Sequence, residues 1–271
     1  MALEIKNVAV IGCGWLGLPL SQMLIDDGYR VKGTTRSTSK RLELKKAGIE
    51  ASILDIYDKD QDIEKTLGEV DAVVLNIPPG RKVEGVESLY PSGIERLIQK
   101  CPGLKNAYVV YISSTGVYPN TGALVDEISA VRTARPSGKA LIAAEEVIKR
   151  LCHNYVLLRM SGLVGPDREP SRWFAGKSDM PGGDTPVNMV HLVDCLHIIQ
   201  LMLEQQPHNE IYNVTAPEHP VRREFYKEQS EKFGLEPPTF LDGVVPHKKV
   251  DHEKLVKELG YQYSYPNPLR F

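Results

Sequence analysis

The first 160 residues alternate between two patterns of apolar and polar positions. Short, nearly unbroken apolar runs rich in β-branched residues predict strands at Ile5–Ile11, Arg30–Thr35, Ala51–Leu54, Ala72–Asn76, Tyr108–Ser113 and Tyr155–Arg159. Runs with no polar face fit strands covered on both sides by helices. Between them, apolar positions recur at helical spacing over Trp15–Asp27, Thr38–Ala47, Ile63–Leu67, Val86–Lys100 and Gly138–Leu151. Strand-helix alternation of this kind predicts parallel β-α-β units in an α/β, doubly wound Rossmann sheet of six or seven strands.

The texture changes after Arg159. Ser161–Pro186 is rich in Gly and Pro and has no helix-length periodicity, so it reads as a long loop of the kind that borders a pocket. A strand at Val187–Val190, a helix at about His191–Leu203 and a strand at Ile211–Val214 follow, then two helical patterns beyond Pro217 and a Pro/Tyr-rich terminus. The expected division is a core over residues 1–160 and a small C-terminal α/β lobe over 161–271, interleaved with a last core strand and helix at about 187–214.

Composition narrows the function classes. The chain has 271 residues, 42% hydrophobic and 25% charged, and a formal net charge of -2, which describes an ordinary globular protein with no electrostatic footprint for nucleic acid. Its four cysteines are scattered, without a C-x-x-C pair or zinc-ligand spacing, so no metal and a reducing, cytoplasmic location are expected. The apolar stretch Val8–Ile25 is broken by Gly12, Gly14, Gly17 and Pro19 and runs into Asp26-Asp27, which argues against a membrane span or a leader. Whether the chain is a monomer or a homodimer stays open.

The strongest local signal is Gly12-Cys13-Gly14-Trp15-Leu16-Gly17, directly after a buried-strand pattern and at the start of an apolar helix. In such a turn the first glycine permits the tight bend, the second lets the backbone approach a pyrophosphate, and the third lets the helix pack on the strand. The amide groups and dipole of the helix N-terminus, at Trp15, Leu16 and Gly17, would face the phosphates. The pattern therefore predicts a dinucleotide site. An NAD site places Asp or Glu at the end of the second strand, whereas this chain reads Gly33-Thr34-Thr35-Arg36-Ser37, with no acid before Glu43. Arg36, helped by Ser37, suits a 2'-phosphate, so NADP is expected, with NAD as the alternative. Asp55, after the third strand, could contact adenine or cap the following turn. Asn76 and Pro78, at the carboxyl side of the fourth strand, would border the nicotinamide half.

Further on, Val109-Val110-Tyr111-Ile112-Ser113-Ser114-Thr115-Gly116-Val117-Tyr118 is followed by Ser137-Gly138-Lys139-Ala140-Leu141 running to Glu145. Then come Leu158-Arg159-x-x-Gly162-Leu163-Val164-Gly165-Pro166, Val187-Asn188-Met189-Val190-His191-Leu192-Val193-Asp194 and Ile211-Tyr212-Asn213-Val214. Through these segments the chain resembles the extended short-chain dehydrogenase/reductases, the NAD-dependent epimerase/dehydratase family. The resemblance implies a catalytic Ser/Thr at Ser114 and a Tyr-x-x-x-Lys pair at the positions held here by Ser137 and Leu141. No Tyr-x-x-x-Lys occurs anywhere in the sequence. A serine has no phenol-like acidity and a leucine can neither tune a neighbour nor bond a ribose. The chain therefore reads as an atypical member, with Tyr118 and His191 as candidate substitutes and Lys139 as a surface residue.

Arg159, Arg168, Arg172 and Lys177 would suit an anionic substrate if they gathered over the pocket. The N-terminal half also resembles the β-hydroxyacid dehydrogenases, but strand patterns in the second half argue against their all-helical substrate domain. Two functions follow: an NAD(P)-dependent oxidoreductase on a small, anionic metabolite, or a non-catalytic NADP(H)-binding sensor.

Overall fold

The structure is a computed structural model and describes residues 3–80 and 83–271. In chain order its principal elements begin with β1 (Asn7–Ile11), α1 (Gly17–Asp26), β2 (Arg30–Thr35), α2 (Thr38–Lys46), β3 (Glu50–Ile53) and α3 (Ile63–Leu67). Next come β4 (Ala72–Leu75), α4 (Val86–Lys100), β5 (Tyr108–Ser114), β6 (Leu124–Val125), α5 (Pro136–Leu151) and β7 (Asn154–Met160). The remainder are β8 (Gly162–Val164), β9 (Met189–His191), α6 (Leu192–Gln205), β10 (Glu210–Val214), α7 (Arg222–Lys232), β11 (Lys249–Val250) and α8 (Glu253–Leu259). A seven-stranded, mostly parallel sheet runs in the order β10-β7-β5-β4-β1-β2-β3, flanked by helices in a Rossmann-like α/β fold.

The chain packs as two compact units. The first comprises Met1–Val117, Thr133–Leu158 and Leu196–Ile211; the second comprises Tyr118–Arg132, Arg159–Cys195 and Tyr212–Phe271.

In the first unit β1 pairs in parallel with β2 on one side and β4 on the other, and β2–β3 and β4–β5 are parallel too. Val8, Ala9, Val10 and Ile11 are completely buried, the outcome expected of a central strand with helices on both faces. α4 buries Tyr90, Ile94, Leu97 and Ile98, and α5 buries Ala140, Leu141, Ala144, Val147 and Ile148, each set following the three-to-four spacing of a helical stripe. Lys139–Glu87 at 3.3 Å and Arg150–Glu95 at 3.0 Å link the exposed rims of these two helices. Gly138 is required where α5 approaches the end of β5, because an added Cβ would lie 2.5 Å from Thr133 Cγ2 and 3.0 Å from the Gly116 carbonyl oxygen.

The second unit has two small parallel pairs, β6–β11 and β8–β9. β8 and a 3-10 turn at Pro170–Trp173 lie in the stretch that the sequence reads as loop throughout. The partner of β8 is β9, far downstream, so its pairing leaves no periodicity within a short window. Apolar packing gathers Val187, Phe225 and Tyr226 with Phe174 and Phe240 around them, and Val164, Ala216 and Phe271 with Tyr265. The fully buried Asp194 ties down the last segment, accepting hydrogen bonds from Tyr261 Oη at 2.7 Å and from the Ser264 and Tyr265 amides at 2.7 and 3.1 Å. Among the described residues no helix is long and apolar enough to cross a membrane.

Candidate functional site: a dinucleotide-binding turn

The three glycines after β1 have different surroundings. Gly12 has φ +104°, and a Cβ there would lie 2.5 Å from the Asn76 carbonyl oxygen, so both the bend and the close approach exclude a side chain. A Cβ at Gly17 would run into the Gly12 carbonyl oxygen, which fixes glycine where α1 begins. Gly14 is exposed, is not among the glycines with positive φ, and a Cβ built on it meets nothing within 4 Å. Nothing inside the protein demands a glycine there. The open space lies beside the start of α1, whose N-cap Leu16 makes no side-chain capping hydrogen bond. A glycine with no internal reason at the start of a helix leaves room in which a phosphate could lie.

The turn is held from both sides. Thr34 on β2 receives the Gly12 amide on its hydroxyl at 3.1 Å and the Cys13 amide on its carbonyl at 2.8 Å. Asn76, beyond β4, donates its side-chain amide to the Gly12 carbonyl at 3.1 Å. Cys13 points inward, with Sγ 3.4 Å from the Val10 carbonyl, and burial raises its pKa. Trp15 is half-buried in the turn, and Leu16 is buried.

At the end of β2 the Arg36 side chain is exposed. Ser37 is the N-cap of α2, accepting the Lys40 amide at 3.3 Å. Asp55 closes its own turn, its carboxylate receiving the Tyr57 amide at 3.0 Å while its own amide donates to Gln61 at 2.7 Å. Tyr57, which the sequence reading did not single out, stands near Arg36; burial raises its pKa, and the Gly80 backbone and the Arg36 charge partly offset this.

On the other side of β1, Pro78 is exposed and Asn76 half-buried at the carboxyl end of β4. Ser114 ends β5, half-buried, with Oγ accepting the Gly116 amide at 3.1 Å. Its neighbour Ser113 donates to buried Glu145 on α5 at 2.6 Å, which locks the strand end to that helix. Ser137 lies in the first turn of α5 and, with Pro136, lines a cleft of roughly 600 Å³ whose opposite wall is Gly80 and Val83–Ser88. Leu141, one helical turn further, is buried.

The remaining candidates belong to the second unit. Tyr118 is only 2% exposed; its hydroxyl donates to Asn213 Oδ1 at 2.8 Å and accepts from Arg159 Nη1 at 2.8 Å. Burial pushes its pKa up to about 12 despite Arg159. His191 is 8% exposed, stacks on Tyr265 at 3.9 Å between ring centroids, and accepts the Val193 amide on Nδ1 at 3.3 Å. Burial lowers its pKa, so the ring is neutral. Three of the four cations singled out in the sequence have separate partners: Arg159 is buried against Tyr118, Arg172 pairs with Glu169 at 3.0 Å and faces Phe233, and Lys177 lies 5.1 Å from the centre of Phe174; the fourth, Arg168, donates its backbone amide to the Gly165 carbonyl at 3.0 Å. Among the described residues no group of three or more His, Cys, Asp or Glu side chains could hold a metal ion.

A Rossmann sheet carrying this turn defines a class, and the sequence match agrees: residues 12–193 fit the NAD(P)H-binding family model, and the chain belongs to that family. Over 270 residues it is 34% identical to protein YeeZ of Escherichia coli (strain K12), covering 97% of this chain and 98% of that one. The fold is shared with UDP-glucuronic acid 4-epimerase from Bacillus cereus, solved with UDP-glucuronic acid and NAD (TM-score 0.78, 18% identity, 98% of this chain and 97% of that chain). It is shared also with MoeE5 in complex with UDP-glucose and NAD (TM-score 0.77, 19% identity, 95% of this chain and 93% of that chain). At these identities the likeness concerns the fold, which is that of NAD-dependent epimerase/dehydratase structures.

Proposed function

We propose that the protein binds NADP(H) across the carboxyl ends of β2, β1 and β4 and acts as an oxidoreductase on a small metabolite. The observation that carries the reading is Gly14, whose missing side chain serves no internal purpose and leaves open the approach to the first helix. Gly12, Gly14, Trp15, Leu16 and Gly17 would hold the pyrophosphate. Arg36 supports a 2'-phosphate, since it is exposed at the end of β2 where an NAD site would carry an acid. Ser37 and Asp55 contribute through backbone position, because their side chains already close local turns. Asn76 and Pro78 border the nicotinamide half.

Bound nicotinamide supplies or takes a hydride, so the protein needs chiefly to position the substrate and polarise its oxygen. Ser114 suits that role. Its oxygen is oriented by the Gly116 amide, which leaves its own hydrogen to donate toward a substrate carbonyl or hydroxyl. Tyr118 and His191 act as framework: the first has its hydroxyl engaged twice, and the second is neutral inside an aromatic stack. With Arg159 and Arg172 committed to protein partners, no charge is assigned to the substrate. That the residues named as acid-base substitutes are locked favours a second reading, a non-catalytic NADP(H) sensor.

NADPH titrations of wild type and Gly14→Val test the binding. The variant should lose affinity by about tenfold or more at an unchanged melting temperature; equal binding by both proteins would sink the cofactor site. Cofactor-oxidation assays over a panel of small carbonyl compounds separate the two functions. Turnover abolished in Ser114→Ala and retained in Ser137→Ala supports the enzyme, and tight NADPH binding without turnover supports the sensor.

A further inference from the structure

Two buried tyrosines outside the glycine turn reach its back wall. Tyr90, on α4, and Tyr111, on β5, are both completely buried. Tyr90 Oη lies 2.6 Å from the Ile77 carbonyl oxygen and 3.1 Å from Tyr111 Oη. A carbonyl only accepts, so the single Tyr90 proton must be on the Ile77 bond, and Tyr111 must donate to Tyr90. The relay therefore has one direction: Tyr111 to Tyr90 to Ile77. Burial raises both phenolic pKa values well above the ordinary range.

The relay grips a particular strut. Ile77 precedes Pro78-Pro79, which confines it to extended backbone and leaves the next two residues without amide hydrogens. Fixing the Ile77 carbonyl therefore fixes the peptide plane that enters the two prolines. On its other flank the strut touches the glycine turn: a Cβ at Gly12 would be 3.3 Å from Ile77 Cγ1 and 2.5 Å from the Asn76 carbonyl. In the order β4-β1-β2, a dinucleotide with its pyrophosphate over β1 and its adenosine over β2 places its other nucleotide over β4. That is where the strut stands.

We infer that Tyr90, relayed by Tyr111, is a positioning residue for the nicotinamide half of the cofactor, acting through the Ile77 carbonyl. This rests on the dinucleotide reading above. The two hydroxyls separate a positioning role from a merely structural one. Tyr90→Phe frees the Ile77 carbonyl, whereas Tyr111→Phe removes a buried hydroxyl of the same relay and leaves that carbonyl bonded. Both variants should melt earlier than wild type by similar amounts. Titration with NADPH and with adenosine 2',5'-bisphosphate, which lacks the nicotinamide half, reads the difference. Tyr90→Phe should weaken NADPH by about tenfold, the effect of losing one such bond, and leave the bisphosphate within about twofold, while Tyr111→Phe should change NADPH by less than about threefold. Pro78→Ala, at an exposed position, loosens the same strut without touching the core and should weaken NADPH more than the bisphosphate. The inference is overturned if Tyr90→Phe binds NADPH as wild type does or loses both ligands alike, or, should that variant fail to fold, if Pro78→Ala shows no split. Wild type that binds neither ligand defeats the dinucleotide reading instead.

Discussion

Three glycines within six positions meet three different fates when given a methyl group. Gly12→Ala forces a β-carbon onto the Asn76 carbonyl at positive φ, and Gly17→Ala forces one onto the Gly12 carbonyl. Each should cost on the order of 2 kcal/mol or more, readable as a lower denaturation midpoint. Gly14→Ala should leave the midpoint unchanged to within about 0.5 kcal/mol, because the site is open and its backbone ordinary. At the same scale, Arg36→Ala should narrow the preference for NADPH over NADH by about tenfold, while NADH affinity holds; an unchanged ratio would remove Arg36 from the 2'-phosphate. Tyr118→Phe should destabilise by about 2 kcal/mol, since Asn213 and Arg159 both lose their buried partner, and should leave NADPH affinity as it was.

At the scale of elements, the sequence was most informative where a strand or helix is long and buried on a consistent face. β1, β2, β5, α4 and α5 stand within a residue or two of their predicted bounds, because unbroken apolar runs and helical stripes follow directly from burial in a layered sheet. α1 starts at Gly17 rather than Trp15, since Cys13–Leu16 form the turn itself. The two-residue strands β6 and β11 pair Leu124–Val125 with Lys249–Val250, and no local pattern announces a pairing across so much chain. The glycine turn and Ser114 were legible because their residue types are tied to backbone geometry. The Tyr90–Tyr111 relay was not, because a buried tyrosine occupies an apolar helix position as any large hydrophobic would. What its hydroxyl touches depends on β4 and β5 lying side by side.

Across the whole molecule, three imidazoles of the second unit, His191 buried and His219 and His252 half-buried, set an acid limit. His219 donates from Nδ1 to the Val187 carbonyl at 3.0 Å, and burial lowers its pKa to about 4; burial lowers those of His191 and His252 as well. Each is therefore neutral in the folded protein at pH values where the unfolded chain, near its ordinary 6.5, binds a proton. Their contribution is complete above pH 6.5 and declines as pH falls below it, that of His219 being lost toward about 4. Glu127, raised by burial, opposes this in the lower part of that interval. Melting temperature should thus decline between these limits. His219→Gln should flatten the decline by an amount on the order of 2 kcal/mol, and an identical pH profile for that variant would contradict the assignment.

The clasp formed by Asp194 bears on how the last residues behave in time. Ser264 and Tyr265 lie outside any helix or strand, yet their amide hydrogens end on a carboxylate that solvent does not reach. In deuterated buffer these two amides should label slowly, like a helix interior, although Ser264 is itself exposed, while the amide of exposed Gln262 should label fast. Asp194→Ala should convert the segment to rapid labelling, making isotope uptake at an irregular stretch of chain a direct gauge of whether the second unit is closed upon its own end.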